Sequence, residues 1–179
     1  MIHLSSDNRT KVAPTISDGV KENGADINAV LIYNDVAPEI KTTLVDRATE
    51  EHIASYSEKA ELVDTVSYKF LLPGHYVMSG VLMDKESGKA ILDKDGKEIT
   101  ATAEFDVPVV RDEFGNPKPL SGSVKVVFTL DTTLLQGVTL VAYEELHSVS
   151  ITGTLVAEHK DIVNVLVLSY KSASDGCTV

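Results

Sequence analysis

Eight stretches of this chain read as β-strands, and turn residues separate them at short intervals. They are EIKTTLVD (39–46), AELVDTVSYKFL (60–71), GHYVMSGVLMD (74–84), EITATAEFDV (98–107), GSVKVVFTL (122–130), GVTLVAYEEL (137–146), SVSITGTLVAEH (148–159) and IVNVLVLSY (162–170). Between them lie LPGH, DKESGK, DKDG and DEFGNPKP, in which Gly, Pro, Asp and Asn supply the backbone angles and side-chain acceptors that reverse a chain. Strands this short bury their apolar faces only by stacking two sheets or closing a barrel, so the expected fold is an antiparallel all-β sandwich or barrel over about residues 39–170. One piece, DRATEEHIASYS (46–57), reads as a short polar helix.

Residues 1–38 have a different character. They are polar and turn-rich, with a single apolar burst, AVLIYNDV (29–36), closed off by Pro38. They read as a linker or the tail of a preceding module, with residues 39–179 as the β-domain. Composition narrows the function. A formal charge of −11 and a pI near 4.8 oppose the basic footprint that nucleic acid or an anionic membrane surface requires. The absence of Trp and an aromatic content of 6% weigh against an aromatic-lined ligand platform. Cys177 is the sole cysteine, so no intrachain disulfide forms. No apolar run reaches the ~18 residues of a membrane span, and MIHLSSDNRTK lacks the basic-then-apolar order of a signal peptide. No cofactor or metal is expected.

Alternation puts four polar residues on faces that should be buried. Thr42 falls between Ile40 and Leu44. Asp64 shares its face with Leu62, Val66, Tyr68 and Phe70. Glu144 lines up with Val138, Leu140, Ala142 and Leu146. His159 lines up with Ile151, Leu155 and Ala157, opposite the polar Thr152, Thr154, Glu158 and Lys160. Burying an unpaired carboxylate costs several kcal/mol, so such groups pair, protonate or serve chemistry. Two adjacent buried carboxyls cannot both stay ionised. An imidazole beside a hydroxyl can act as its general base. Taken singly, each also has a plain reading: Thr42 as an ordinary strand residue, Asp64 and Glu144 as strand-end groups in water, and His159 as part of a turn.

The ordered segments PEIKTTLVD, LVDTVSYKFLLPGHYVMSGVLMDKESGKAIL, VKVVFTLDTTLLQGVTLVAYEEL and GTLVAEHKDI resemble the VaFE-type repeat, the Thr–Gln ester-bond domain of Gram-positive surface adhesins, over roughly residues 38–162. The resemblance implies an immunoglobulin-like β-sandwich, a place on the bacterial cell surface, and neighbouring repeats of the same protein as partners. It also implies roles. Thr42 would be the nucleophile and His159 the base. Asp64 and Glu144 would form the carboxyl pair that polarises a Gln amide. The sequence departs from the family where the Gln is expected. Gln136, in the turn LLQGV, is the sole Gln. Asn164 carries a carboxamide on a shorter side chain, and Cys177 of GCTV carries a thiol.

Three functions follow as expectations. The first is a non-enzymatic structural stalk module of a surface adhesin, lacking the Gln for its cross-link. The second is a ligand-binding β-sandwich of a secreted protein. The third is a hydrolase built on His159, Asp64 and Thr42. A Lys–Asn isopeptide is a variant of the first, but Lys41 falls on the face opposite Thr42.

Overall fold

Ten strands make up a computed structural model of the chain, which describes residues 37–149 and 153–170. The expected N-terminal linker, Ile151, Thr152 and Cys177 lie outside the described residues, except for Ala37 and Pro38 of the linker. β1 (Glu39–Lys41) and β2 (Leu44–Asp46) are two halves of one line. Both run antiparallel to β4 (Ala60–Leu71), with Ile40 opposite Tyr68 and Leu44 opposite Asp64. Thr43 joins the halves: its N–H donates to Thr65 O (3.1 Å) and its carbonyl accepts from Thr65 N (3.0 Å). β7 (Leu120–Leu130) covers the other side of β4. The second sheet runs β3 (Ile53–Ser55), β10 (Val165–Ser169), β8 (Thr139–Ser148), β5 (Gly74–Asp84), β6 (Thr100–Val107). β9 (Thr154–His159) shares one side of β8 with β10.

The two sheets stack as a β-sandwich, and inward side chains fill the space between them. Leu44, Leu62, Val66, Val126 and Phe128 of the smaller sheet meet Met78, Leu82, Leu140, Leu146 and Leu166 of the larger, all fully buried. The alternation in the strand segments therefore marks the core. Among the described residues all strand pairings are antiparallel except one: β3 runs parallel to β10, with Ala54 beside Leu168.

Three expectations need correction. Residues 46–57 are not helical. Asp46 Oδ1 accepts from the N–H groups of Ala48 (2.8 Å) and Thr49 (2.9 Å), and Glu50, at φ 59°, ends the resulting turn. Its own side chain thus competes with a helix, and Ala54 is then buried as part of β3. Phe70 does not share the inward face of Asp64. The β4–β7 register shifts between Tyr68 and Leu71, Phe70 takes φ 61°, and Leu71 goes inward while Phe70 is 39% exposed. A bulge inserts one residue and so reverses the parity beyond it. The same happens in β9. Leu146 pairs with Ala157 but His147 with Leu155, so Val156 is the extra residue, and Leu155 is 48% exposed. Ala157 and His159 keep the inward parity that brings His159 opposite Glu144.

Candidate functional site

Thr42, Asp64 and Glu144 are buried polar residues on three different strand lines; Thr42 is 5% exposed, and Asp64 and Glu144 are 0% exposed. Leu44 opposite Asp64 sets the height of Asp64 in the smaller sheet. In the larger sheet Glu144 sits between two partners, Gly80 on β5 and His159 on β9. The carboxyls of Asp64 and Glu144 face each other across the sandwich, within reach of a shared hydrogen. Asp64 Oδ1 accepts a second bond, from the Thr43 N–H at 2.8 Å, next to Thr42 in the chain.

The hydrogen-bond supply is incomplete. Among the described residues, no ordinary donor satisfies Asp64 Oδ2 or either oxygen of Glu144, and Nε2 of His159 is buried without a partner. Thr132, equally buried, shows the ordinary solution. Its hydroxyl accepts from Ser57 N (2.8 Å) and lies 3.2 Å from Ser57 O, to which it donates. For the carboxyls the remaining donor is a proton on one of them. Burial pushes Glu144 up to about 9, and the negative charge of Asp64 adds to the effect. Burial also raises Asp64, to about 6, while its bonds to Glu144 and to the Thr43 N–H pull it back. Burial and mutual repulsion thus both favour a pair that keeps one proton at neutral pH.

Gly80 makes room for this arrangement, and the alternation reading passed over it. A Cβ there would collide with Glu144 Oε1, and would sit 2.6 Å from Phe128 Cζ and 2.7 Å from Glu144 Oε2. A glycine inside an otherwise unbroken strand signals such a close approach, and MSGVL in mid-strand was that signal. Gly80→Ala is expected to destabilise the domain by about 1–3 kcal/mol, because the fully buried Phe128 ring and Glu144 carboxyl would have to shift to admit the methyl. Urea unfolding reads this directly, and wild-type stability in the variant would show that Glu144 does not occupy the notch.

Thr42 is placed by topology. β1 packs against β9 and β2 against β10. Thr42 lies between β1 and β2, next to Thr43, whose N–H bonds Asp64. A buried hydroxyl, a half-buried imidazole with a buried free nitrogen and a buried carboxyl pair are thus carried by strands that pack against one another. Such a set can move a proton and polarise a carbonyl. Lys41 is exposed, on the face away from the site. Gln136 is exposed in the turn before β8. Among the described residues, no group of three or more His, Cys, Asp or Glu has the geometry to hold a metal ion.

No curated protein matches the sequence. Two crystal forms of a bacterial adhesin from Mobiluncus mulieris, which contains intramolecular disulfide, isopeptide and ester bond cross-links, are similar in structure. One shares 16% identity at a TM-score of 0.47, covering 70% of this chain and 54% of the adhesin chain. The other shares 15% at 0.49, covering 75% and 58%. The chain thus spans a little over half the length of these adhesin chains. Residues 38–165, nearly the whole sandwich, match the family described as the T-Q ester bond containing domain, and the chain belongs to that family.

Proposed function

We propose that this chain is a structural, non-enzymatic repeat of an extracellular bacterial adhesin, spacing other modules along a stalk. Within it, Thr42 is a nucleophile, His159 its base, and Asp64–Glu144 a carboxyl pair that activates a carboxamide. One observation carries this reading: Asp64 and Glu144 are wholly buried, Glu144 opposite His159 on β9 and Asp64 bonded to the Thr43 N–H next to Thr42. A diffusing substrate does not reach groups at zero exposure, so their chemistry is confined to the domain itself and runs once. Family membership points the same way, toward a covalent brace. Surface location follows the resemblance to adhesin repeats.

Antibodies raised against residues 38–170 should label intact cells of the source bacterium. Labelling only after lysis would overturn the surface assignment. Purified protein should hydrolyse a nitrophenyl ester no faster than its His159→Ala variant, and repeated turnover would argue for an enzyme instead. One feature favours the second reading, a ligand-binding module. A shallow groove of about 530 Å³ crosses the outer face of the larger sheet, lined by Ser79, Thr102, Tyr143, Glu145 and Lys160 among others. Its hydroxyls and paired charges suit a polar ligand, and saccharide or peptide arrays would detect one.

A further inference from the structure

We propose that Asn164 supplies the carboxamide that Thr42 attacks, so that the domain closes through a Thr42–Asn164 ester. The inference rests on the reading of Thr42, His159, Asp64 and Glu144 as one reactive site, and adds the missing electrophile to it.

The described residues contain three carboxamides. Asn116 sits in the β6–β7 loop, and Gln136 in the exposed turn before β8. Asn164 directly precedes β10, on the same side of β8 as His159. Asn164 is half-buried and is the central residue of the tight turn that leads into β10, where Leu166 and Leu168 face inward. Val165, next to it, pairs with Val141, three residues along β8 from Glu144, whose own partner on that side is His159. The intervening segment turns tightly: Asp161 Oδ1 accepts from Val163 N at 3.1 Å, and Val165 N donates to Val163 O at 3.1 Å.

Thr42 belongs to the other sheet, between β1, which packs against β9, and β2, which packs against β10, so its neighbours in the chain flank the strands that His159 ends and Asn164 precedes. Among the described residues, no hydrogen bond ties down the Asn164 carboxamide. An amide entering the site would also answer the open valences there. Its carbonyl would accept from the protonated carboxyl, and its N–H groups would donate to the ionised one.

The reaction balances without a co-reactant. His159 Nε2 takes the proton from Thr42 Oγ as Oγ bonds to Asn164 Cγ. The Cγ–N bond then breaks, and the leaving NH2 takes that proton back from His159 and departs as ammonia. The product is an ester and a chain lighter by about 17 Da.

Intact mass spectrometry of the full chain tests this, with three variants. The expected result is a deficit of about 17 Da in the wild type that is absent in Thr42→Ala and Asn164→Ala, together with a proteolytic fragment joining the Thr42 and Asn164 peptides. The joined fragment also separates the ester from a succinimide at Asn164, which has the same mass. Full mass in the wild type overturns the proposal. Asn164→Gln then decides how far the failure reaches, because its side chain is longer by one methylene, about 1.5 Å. A deficit appearing only in Asn164→Gln leaves the site competent and shows Asn164 to be too short. Full mass in both removes the reactive-site reading as well. A deficit that survives Asn164→Ala assigns the electrophile to another amide and overturns the proposal alone.

Discussion

Stability should fall as the pH rises from about 5 to 9, by up to about 1.4 kcal/mol per pH unit for each proton involved. The cause is the buried carboxyl pair. Glu144 titrates at about 9 in the folded domain against 4.5 in the open chain, and Asp64 at about 6 against 3.8. A group whose folded pKa is raised binds its proton more tightly when folded. Its contribution is fully present below the unfolded pKa and is lost as pH climbs through the folded one. The surface carboxylates behave in the opposite sense. Asp84, Asp93, Asp112 and Asp131 are held below their usual values by local hydrogen bonds, and Glu145 by hydrogen bonds to Lys160 and His147. What they contribute is lost only as the pH falls through those lowered values. His75, raised chiefly by its hydrogen bond to Asp106, adds in the same direction as the pair from a solvent-exposed position. Maximum stability is therefore expected on the acid side of neutrality, near pH 5. Urea midpoints at pH 5.5, 7 and 8.5 measure the slope. Glu144→Gln keeps the shape but cannot ionise, so it should flatten the slope and exceed the wild type at pH 8.5. An unchanged slope in Glu144→Gln would move the effect away from the pair.

The parts of this molecule that obey a period were legible in the sequence. β4 and β5 lie at 60–71 and 74–84, the limits their alternation and flanking turns define. Ile40, Leu62, Leu140 and Leu146 are core residues because two-residue periodicity places them there. Thr42, Asp64 and Glu144 stood out for the same reason: each is a polar residue at an apolar position, and each is buried. What was lost is what breaks the period. The bulges at Phe70 and Val156 each reverse the face of a neighbour, and nothing in FLLPG or TLVAEH marks the extra residue. The 46–57 segment misled because its charges suit a helix, while Asp46 binds its own turn instead. The notch at Gly80 had its signal, a glycine inside an unbroken strand, but the side chains that fill it, Phe128 and Glu144, lie on other strands and have no local signature.

Removing the Phe128 ring should have the largest single effect on the domain. Phe128 is fully buried on β7, opposite Leu62 of β4, and its ring tip reaches the Gly80 notch that also holds the Glu144 carboxyl. Phe128→Ala removes an aromatic side chain from the middle of the core, a loss of about 3–5 kcal/mol in comparable sites. That alone is a large part of the ~5–15 kcal/mol by which such a domain is stable. The second consequence is specific to this site. A cavity lined only by aliphatic groups stays dry, whereas one that opens onto polar atoms admits water. Here the space left by the ring borders the unsatisfied oxygens of Glu144. Water entering it would hydrate the carboxylate and relieve the burial that raises Glu144. Phe128→Ala should therefore lower stability and flatten its pH slope together, with the deficit relative to wild type greatest near pH 5 and smaller at pH 8.5. Phe128→Leu refills most of the volume with apolar atoms and should retain the slope at a smaller loss. Parallel urea titrations of wild type and both variants across that pH range test the coupling. A deficit in Phe128→Ala that is constant with pH would mean that the ring supports the core without shielding the carboxyl pair.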